Sequence, residues 1–312
     1  MCMEEKLKVS VIVPVYNAST TIDRCVKSII EQDYRNIECI LIENCSSDTS
    51  ADICKKYSEG YKQIKVGFCG KKGASEARNM GLSMATGDII GFCDADDIIE
   101  KGALKTVVTE FMNDANIIGV FGALFSEMKG ADGMHIQYQG ISRRCVPVQR
   151  AQELMLGTER VMGSVCNKYY RAQIVKGVLF DSSLSYCEDM HFNAKVLSRF
   201  LNDSKIMVID TPVYSYLMNS QSVTYQSNAF FDEFGNLKYI IALKKILKEC
   251  RIKRTSKAII RMRIAGFAID YFERTGVTEN QKKLLLKELR KNYFYLLFHL
   301  LRFYFYFDFR AN

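Results

Sequence analysis

The sequence has few of the features that divide a chain into separate parts. Its 312 residues include only three prolines, and no glycine- or serine-rich linker, low-complexity tract or internal repeat is visible. A chain of this length can bury a full hydrophobic core, in one large domain or two smaller ones. Hydrophobic residues at 48% and charged residues at 25% are ordinary for a soluble globular protein. We therefore expect a folded, globular chain.

The 11 cysteines lack the spacing of a metal site or a disulfide framework, since no Cys-X-X-Cys pair occurs and their number is odd. Several of them, such as Cys25, Cys39 and Cys93, lie inside apolar runs, as buried reduced thiols do. This usage favours a reducing cytosol, without a disulfide framework or a zinc site. The first residues, MCMEEKLKVS, lack the apolar segment of a signal peptide, so we expect a cytoplasmic protein.

The net charge of +8 calls for an anionic partner or location. The sequence argues against nucleic acid, because no basic stripe with interleaved aromatic residues occurs before the C-terminal third. The basic residues concentrate there, in the segments LKKILKECRIKRTSK and QKKLLLKELRK. An anionic membrane surface is the other candidate partner.

The first hundred residues alternate strand and helix patterns. Short apolar runs such as KVSVIVPVY and IECILIE predict strands, and STTIDRCVKSIIEQ has apolar residues at helical spacing. Strands without polar alternation, separated by helices, predict an α/β fold with a mostly parallel sheet. Such sheets bind ligands at the carboxyl ends of their strands. The sequence places Asn17, the Glu43–Asn44 pair and an Asp94 cluster at strand ends, so we expect them to converge on one rim.

Three carboxylates, Asp94, Asp96 and Asp97, follow the apolar run IIGFC directly, and no Lys or Arg occurs before Lys101. Such a cluster usually holds a cation, and oxygen ligands suit Mg²⁺ or Mn²⁺. The alternative is that Asp97 caps a following helix. Capping explains one aspartate and leaves two unexplained, so we interpret the cluster as a site for a divalent metal ion.

Four segments, in order, resemble the motif series of family 2 glycosyltransferases: VSVIVPVYNAS, ILIENCSSDTS, GASEARNMGLSMATGDIIGFCDADD and FDSSLSYCEDMHF. The resemblance covers about residues 8–225. It implies a GT-A fold and an inverting, metal-dependent transfer of sugar from a UDP-sugar to a hydroxyl group. The acceptor would be a glycan or a lipid-linked oligosaccharide of bacterial surface polysaccharide synthesis. Where the family commonly has Asp-Asp-Gly-Ser, this chain has Glu43-Asn44-Cys45-Ser46, which keeps a carboxylate at the first position.

The resemblance also implies donor-binding residues. Glu43 would accept the N3 proton of uracil, and the segment with Pro14 and Tyr16 would wrap the base and ribose. Arg78 would contact the nucleotide from a helix, and Ser222 would contact the diphosphate from a segment that closes over it. Tyr16 could also be an aromatic residue at the edge of the core, and Arg78 a solvated surface residue.

In the aspartate cluster, the resemblance implies that Asp96 coordinates the metal ion and bridges to the donor pyrophosphate. Asp94 would face the ribose or the water shell of the metal, and Asp97 is a weaker candidate. The ion would neutralise the charge that develops on the departing UDP.

The acceptor side is implied by the Glu188–Asp189 pair. In the family, the Asp of this pair is the general base, so we expect Asp189 to take the proton of the acceptor hydroxyl. Glu188 would support it or bind the acceptor. Paired acids at a helix N-terminus can also simply favour the helix dipole. His191 is the competing base, although at two residues away it lies on a different helix face. A role for Lys168 on the acceptor side is a further possibility.

The pattern becomes wholly helical from about residue 229. We therefore predict a catalytic domain at 1–228 and a helical region at 229–312. The catalytic domain would comprise a nucleotide-binding half, 1–100, and an acceptor half, 101–228.

The final run, YFYLLFHLLRFYFYF, is aromatic but interrupted by His299 and Arg302, and it is shorter than the ~20 apolar residues of a transmembrane helix. Tyrosine-rich helices with basic flanks suit the membrane–water interface. We expect peripheral attachment to the inner face of the cytoplasmic membrane. The alternative is packing on the catalytic domain or on a second subunit of a homo-oligomer.

Two other functions fit an α/β sheet with acidic clusters. A sugar-nucleotide-forming nucleotidyltransferase would need a glycine-rich basic loop after its first strand, and this chain has PVYNAST there. A non-catalytic scaffold is the second alternative, but loss of function usually erodes acidic clusters, and both are present here.

Overall fold

The computed structural model describes residues 7–130, 133–140, 142–157, 163–200, 204–217, 237–272 and 277–308. Within these ranges, ten strands and ten helices build one layered α/β structure. The strands are β1 (Val9–Val15), β2 (Ile37–Glu43), β3 (Ile64–Phe68), β4 (Ile89–Phe92), β5 (Ile98–Ile99), β6 (Ile117–Gly130), β7 (Gly133–Gln139), β8 (Arg144–Pro147), β9 (Lys168–Arg171) and β10 (Lys205–Tyr216). The helices are α1 (Ile22–Ile30), α2 (Ser50–Gly60), α3 (Ala74–Met84), α4 (Ala103–Asn113), α5 (Val148–Leu156), α6 (Ala172–Val175), α7 (Glu188–Ser198), α8 (Lys238–Glu249), α9 (Arg254–Phe272) and α10 (Glu279–Asp308).

The strands and helices predicted for the first hundred residues are confirmed. β1 and β2 are parallel neighbours, β3 pairs with β2, and β4 pairs with β1, all in the same direction. Every residue of β2 is buried, and only Pro14 of β1 is partly accessible. Continuous burial is what helices on both faces of a parallel sheet impose, and it explains the unbroken Val/Ile/Leu runs.

The main sheet has the order β3-β2-β1-β4-β9-β6-β10-β5, with β7 attached to β6 and β8 to β10. β9 runs antiparallel to both β4 and β6, so these two strands point in the same direction. Six strands (β1 to β4, β6 and β10) therefore share one direction, and the expected mostly parallel sheet is confirmed. The reversal puts the start of β9 at the same edge as the end of β4.

Helix α3 lies unusually close to the sheet. A Cβ atom added to Gly81 would lie 2.3 Å from Cγ2 of Ile12 in β1, so only glycine permits this approach. Arg78 lies three residues earlier, on the same face of the helix. The contact at Gly81 therefore helps to set the depth at which the Arg78 side chain enters the interior.

The C-terminal helices pack onto the acceptor half. α8 contacts α7, α9 contacts α5 and α8, and α10 contacts α9. Buried residues from β1 to Leu285 form one hydrophobic cluster. The predicted boundary at 228/229 lies outside the described residues, so the division into a catalytic domain and a helical region stays a prediction. None of the described helices has the length and apolar character needed to cross a membrane.

Candidate active site

Three loops with left-handed backbone border one rim of the sheet. Asn17 (φ 47°) follows β1, Cys45 (φ 61°) follows β2, and Cys187 (φ 58°) precedes α7. Within the described ranges these are the only non-glycine residues with positive φ. Such conformations are unfavourable for residues with a Cβ atom and cluster at functional sites. The rim that the sequence predicts is therefore also where the backbone is least regular.

Glu43 and Asn44, at the end of β2, have different tasks. Glu43 is largely buried, and its Oε1 accepts a hydrogen bond of 2.6 Å from the backbone N–H of Ser46. No hydrogen bond to its Oε2 occurs within the described part of the chain. The Asn44 amide donates to the carbonyl of Lys71 (2.8 Å) and accepts from the N–H of Gly73 (2.7 Å). Asn44 thus fixes the loop before α3, whereas Glu43 keeps one carboxylate oxygen, Oε2, that accepts no hydrogen bond from the described residues.

Pro14 and Tyr16 lie at the end of β1, as predicted. Pro14 is half-buried, and Tyr16 is 45% exposed, so it is not a residue of the core edge. The Tyr16 hydroxyl accepts a hydrogen bond of 2.6 Å from Nζ of Lys72, which lies 4.3 Å from the ring centroid. The ring thus stands at the rim beside a cation.

A buried guanidinium joins the two halves of the site. Arg78 of α3 is only 5% exposed, and its Nη2 donates to Asp94 (2.9 Å) at the end of β4. Its Nη1 donates to Glu188 (2.9 Å) and Asp189 (3.0 Å) in the first turn of α7. The surface alternative for Arg78 is therefore wrong. The structure brings three of the predicted site carboxylates together around one cation.

The Asp189 carboxyl has an unusual ionisation. Burial raises its pKa to about 7, and the negative charges of Glu188 and Asp94 act in the same direction. The Arg78 guanidinium and the backbone N–H of Val165, 3.3 Å from Oδ2, oppose this shift. A carboxylate with a pKa near neutrality can accept a proton and is more basic than an ordinary aspartate.

The aspartate cluster divides into two accessible residues and one buried residue. Asp94 is 34% exposed and Asp96 is half-buried. Asp97 is buried, accepts hydrogen bonds from the Tyr214 hydroxyl and the Leu217 N–H, and has its pKa raised to about 8, mainly by burial. The helix-capping alternative for Asp97 is wrong, because β5 intervenes and Gly102 precedes α4. Asp97 anchors the end of β10, whereas the side chains of Asp94 and Asp96 are partly accessible.

The residues present fit a hard divalent cation. Asp94 and Asp96 offer accessible oxygen ligands, and Mg²⁺ typically binds through one or two carboxylates together with substrate phosphates and water. Among the described residues, a tighter group of three possible ligands within 4.8 Å lies elsewhere, formed by Asp181, His191 and Glu249. The ammonium of Lys245 contacts Asp181 there and already supplies positive charge.

His191 faces away from the site. It is fully buried, and its Nε2 lies 2.9 Å from Glu249 of α8 rather than near Arg78. His191 therefore lies on the same helix as Asp189, but its side chain contacts α8 and not the Arg78 cluster. Ser222, and with it the closing segment, lies outside the described residues.

Lys168, for which the sequence suggested a role on the acceptor side, supports the loop that contacts Asp189. Lys168, at the start of β9, is fully buried, and burial lowers its pKa to about 7. Its Nζ donates to the carbonyl of Ser164 (2.6 Å) and to Asn167 (2.8 Å). This holds the loop whose Val165 N–H donates to Asp189. The sequence signal for this role is the segment NKYYR, which resembles a family segment on the acceptor side.

Comparison with known proteins identifies the family. The family model "Glycosyl transferase family 2" matches residues 10–179, more than half of the chain. The glycosyltransferase GlyA of Streptococcus pneumoniae is 30% identical over 224 residues, which are 70% of this chain and 31% of GlyA. The poly(ribitol-phosphate) β-N-acetylglucosaminyltransferase TarS of Staphylococcus aureus is 28% identical over 251 residues, 76% of this chain and 40% of TarS. The chain thus spans well under two thirds of either relative.

Solved structures confirm the fold. The crystal structure of TarS 1–349 in complex with UDP-GlcNAc has a TM-score of 0.66 at 21% identity and covers 91% of this chain and 80% of that one. A mannosyltransferase of Pyrobaculum calidifontis, in complex with GDP-Man and Mn²⁺, has a TM-score of 0.53 at 17% identity and covers 81% and 68%. The chain accordingly has the GT-A fold, as expected.

We predict that Arg78→Met lowers the free energy of unfolding by about 1–3 kcal/mol, because three partly buried carboxylates lose their common donor. Urea unfolding at pH 8 measures the difference. The control is Arg199→Met, since Arg199 is exposed and, among the described residues, donates only to the carbonyls of Lys176 and Gly177. Equal effects of the two substitutions would show that the Arg78 cluster does not stabilise the fold.

Proposed function

The chain belongs to glycosyl transferase family 2, and we propose that it transfers a sugar from a UDP-sugar, with inversion, to a hydroxyl of a glycan or lipid-linked saccharide. The observation that carries the proposal is the Arg78 cluster, which joins a donor-side carboxylate, Asp94, to an acceptor-side pair, Glu188 and Asp189. Family membership makes the chain a glycosyltransferase, which decides against the nucleotidyltransferase and the scaffold.

The donor is proposed to be a UDP-sugar. The relative TarS binds UDP-GlcNAc, whereas the Pyrobaculum protein of the same fold binds GDP-Man, so the fold alone does not choose the base. Support for uracil comes from Glu43, whose Oε2 is left for the N3 proton. Pro14 and Tyr16 would border the base and ribose, and the proposed diphosphate contact of Ser222 completes the donor set.

A divalent ion, Mn²⁺ or Mg²⁺, is proposed as the cofactor, held by Asp96 and Asp94. When bound there, it would neutralise charge on the departing UDP. The family resemblance implied that Arg78 contacts the nucleotide. Its two terminal nitrogens already donate to carboxylates, so we propose that it acts on the donor side through Asp94.

Asp189 is proposed as the general base. As the acceptor oxygen bonds to the anomeric carbon and the bond from that carbon to UDP breaks, Asp189 takes the hydroxyl proton. A single displacement of this kind inverts the configuration. Arg78 and the Val165 N–H hold the carboxylate in place, and Glu188, on the same nitrogen of Arg78, would support it or bind the acceptor.

The setting we propose is the assembly of a bacterial surface polysaccharide. Its support is the relative TarS, whose name gives poly(ribitol-phosphate) as its acceptor. Since this chain spans only 40% of TarS, the acceptor class is inferred from chemistry: a glycan or a lipid-linked saccharide offers the hydroxyl that Asp189 would deprotonate.

We predict that Asp96→Ala weakens UDP binding and abolishes its dependence on Mn²⁺, because the main metal ligand is lost. Isothermal titration of UDP with and without Mn²⁺ measures both effects. Asp52→Ala, on the exposed side of α2, is the control and should leave both unchanged. Metal-dependent UDP binding by the Asp96→Ala protein would contradict the metal assignment.

We predict that Asp189→Asn lowers the rate of sugar transfer by about 10²–10⁴ while UDP affinity stays near wild type, since Asn keeps the size but cannot take a proton. The wild-type rate should fall as the pH drops below the pKa of Asp189, which burial raises to about 7 without metal and which a bound divalent cation would lower, and level off above it. The variant should lose this inflection. Radiolabelled transfer at saturating acceptor measures the rates.

Glu188→Gln is the matched control for this prediction. It should cost less in turnover and more in acceptor affinity, because Glu188 carries no proton in the reaction. Near-normal turnover by Asp189→Asn would place the base elsewhere, and the burial of His191 against Glu249 makes that residue a poor substitute.

The last described helix supports peripheral membrane attachment. Four cations of α10 line one shallow groove with Leu286: Lys283, Lys287, Arg290 and Lys291. Just beyond them, Phe294 is 83% exposed, and Tyr293 and Leu297 are also exposed. Cations followed by exposed aromatic residues suit an interface with anionic lipid headgroups. We propose that the helical region, 229–312, attaches the enzyme to the inner face of the cytoplasmic membrane.

We predict that Lys287→Glu/Arg290→Glu in the full chain greatly reduces binding to vesicles containing phosphatidylglycerol, because two attractive charges become repulsive. Vesicle co-sedimentation measures the bound fraction. Lys62→Glu/Lys101→Glu, at two exposed sites outside α10, is the charge-matched control. If vesicle binding is unchanged but sedimentation velocity shows that an oligomer dissociates, the helix packs against a second subunit instead.

A further inference from the structure

The loop at 69–73, with the sequence CGKKG, is fixed at the donor rim. The backbone N–H of its first residue donates to the carbonyl of Glu43 (2.8 Å). Asn44, itself buried, binds the carbonyl of Lys71 and the N–H of Gly73. The backbone on both sides of Lys72 is therefore anchored to the end of β2. This loop is therefore tied to the end of the strand that carries Glu43, the carboxylate that would read the base.

The two lysines of the loop have different partners. Lys71 forms an ion pair with Glu76 of α3. Lys72 is exposed and donates to the Tyr16 hydroxyl, but forms no ion pair with any carboxylate in the described part of the chain. A charge held at a rim without a counter-ion is available to a ligand. Lys72 is therefore the lysine of this loop that can contact a ligand, and Lys71, already paired with Glu76, is the control position.

Tyr16 holds the ammonium in a defined place. Nζ of Lys72 lies 2.6 Å from the hydroxyl oxygen and 4.3 Å from the ring centroid. Both contacts restrict a side chain that would otherwise be free in solvent. An exposed ring with a cation beside it suits a planar, carbonyl-bearing heterocycle, since the ring offers a stacking face and the cation a hydrogen bond.

The polar groups at this rim match one class of base. Glu43 offers an acceptor, and Lys72 offers a donor that cannot accept. Uracil presents a donor, N3–H, flanked by carbonyl oxygens. In the same position, cytosine presents an unprotonated N3 to Glu43 and, in place of O4, an amino group that cannot accept a hydrogen bond from Lys72, whereas its O2 carbonyl is the same as in uracil. Unsatisfied polar groups in a site are the strongest source of discrimination between similar ligands.

We propose that Lys72 is a specificity-determining residue that donates a hydrogen bond to O4 of uracil, next to the N3 proton taken by Glu43, with Tyr16 positioning its ammonium. This rests on the proposed function, because it concerns the same donor site. In this proposal, Glu43 and Lys72 together select the base of the donor nucleotide.

The test is isothermal titration of the full chain with UDP and with CDP, both in Mg²⁺. Lys72→Met should weaken UDP by about tenfold to a hundredfold, the value of one charge-assisted hydrogen bond. It should change CDP little, so that the preference for UDP over CDP narrows. Lys71→Met, on the same loop, should leave both affinities within about twofold, as an exposed surface substitution does.

Tyr16→Phe keeps the ring and removes the hydroxyl that holds Lys72. It should therefore lower UDP affinity by less than Lys72→Met and also narrow the preference. Wild-type UDP affinity in this variant would overturn the positioning role of Tyr16.

Equal losses of UDP and CDP affinity in Lys72→Met would overturn the proposal, because they would place the ammonium on a group that both ligands share, such as O2 of the base or the diphosphate. Failure of the wild-type protein to bind UDP at all would instead refute the proposed function, and this inference with it. A wild-type preference for UDP that survives unchanged in Lys72→Met would show that the base is read elsewhere.

Discussion

The guanidinium of Arg78 is the interaction on which the site depends. Asp94 ends a strand of the nucleotide-binding half, and Glu188 and Asp189 begin a helix of the acceptor half, yet all three bind the same buried group. Carboxylates brought this close repel one another strongly in a medium of low dielectric constant. A shared cation makes their convergence tolerable. It also links the place where the donor would bind to the place where the acceptor would react.

The backbone around this cation is arranged to let it reach the interior. Gly81 brings α3 close to β1, and the reversed strand β9 brings the Ser164–Val165 loop to the end of β4. Lys168 donates a hydrogen bond to the carbonyl of Ser164 in that loop, and Asn193 donates one to the carbonyl of Gly163. Polar groups that are buried in a protein almost always have a hydrogen-bond partner, as these carbonyls do. The support of Asp189 is thus a network, and each part of it is held by another element of the fold.

The sequence allowed the local part of this structure to be predicted, and the long-range part only in outline. The strands β1 to β4 and the position of Glu188–Asp189 at the start of α7 follow from periodicity and motif order, which are properties of short segments. The partners of Arg78 lie up to 111 residues away, and no spacing rule indicates which carboxylates share a cation. Asp97 shows the same limit: it belongs to the same aspartate cluster as Asp96, but Tyr214, 117 residues later, makes it a buried anchor.

The charge balance of the cluster gives the physical argument for a metal ion. Arg78 is one cation facing three carboxylates, with Asp96 close by in the sequence, so negative charge remains in excess. Burial is the main cause of the raised pKa of Asp189, and the negative charges of Glu188 and Asp94 raise it further. A divalent cation beside Asp94 would reduce this field where a negatively charged diphosphate must approach. The positive charge of the same cation would also lower the pKa of Asp189. Donor binding and the fraction of Asp189 that is deprotonated would therefore be electrostatically coupled.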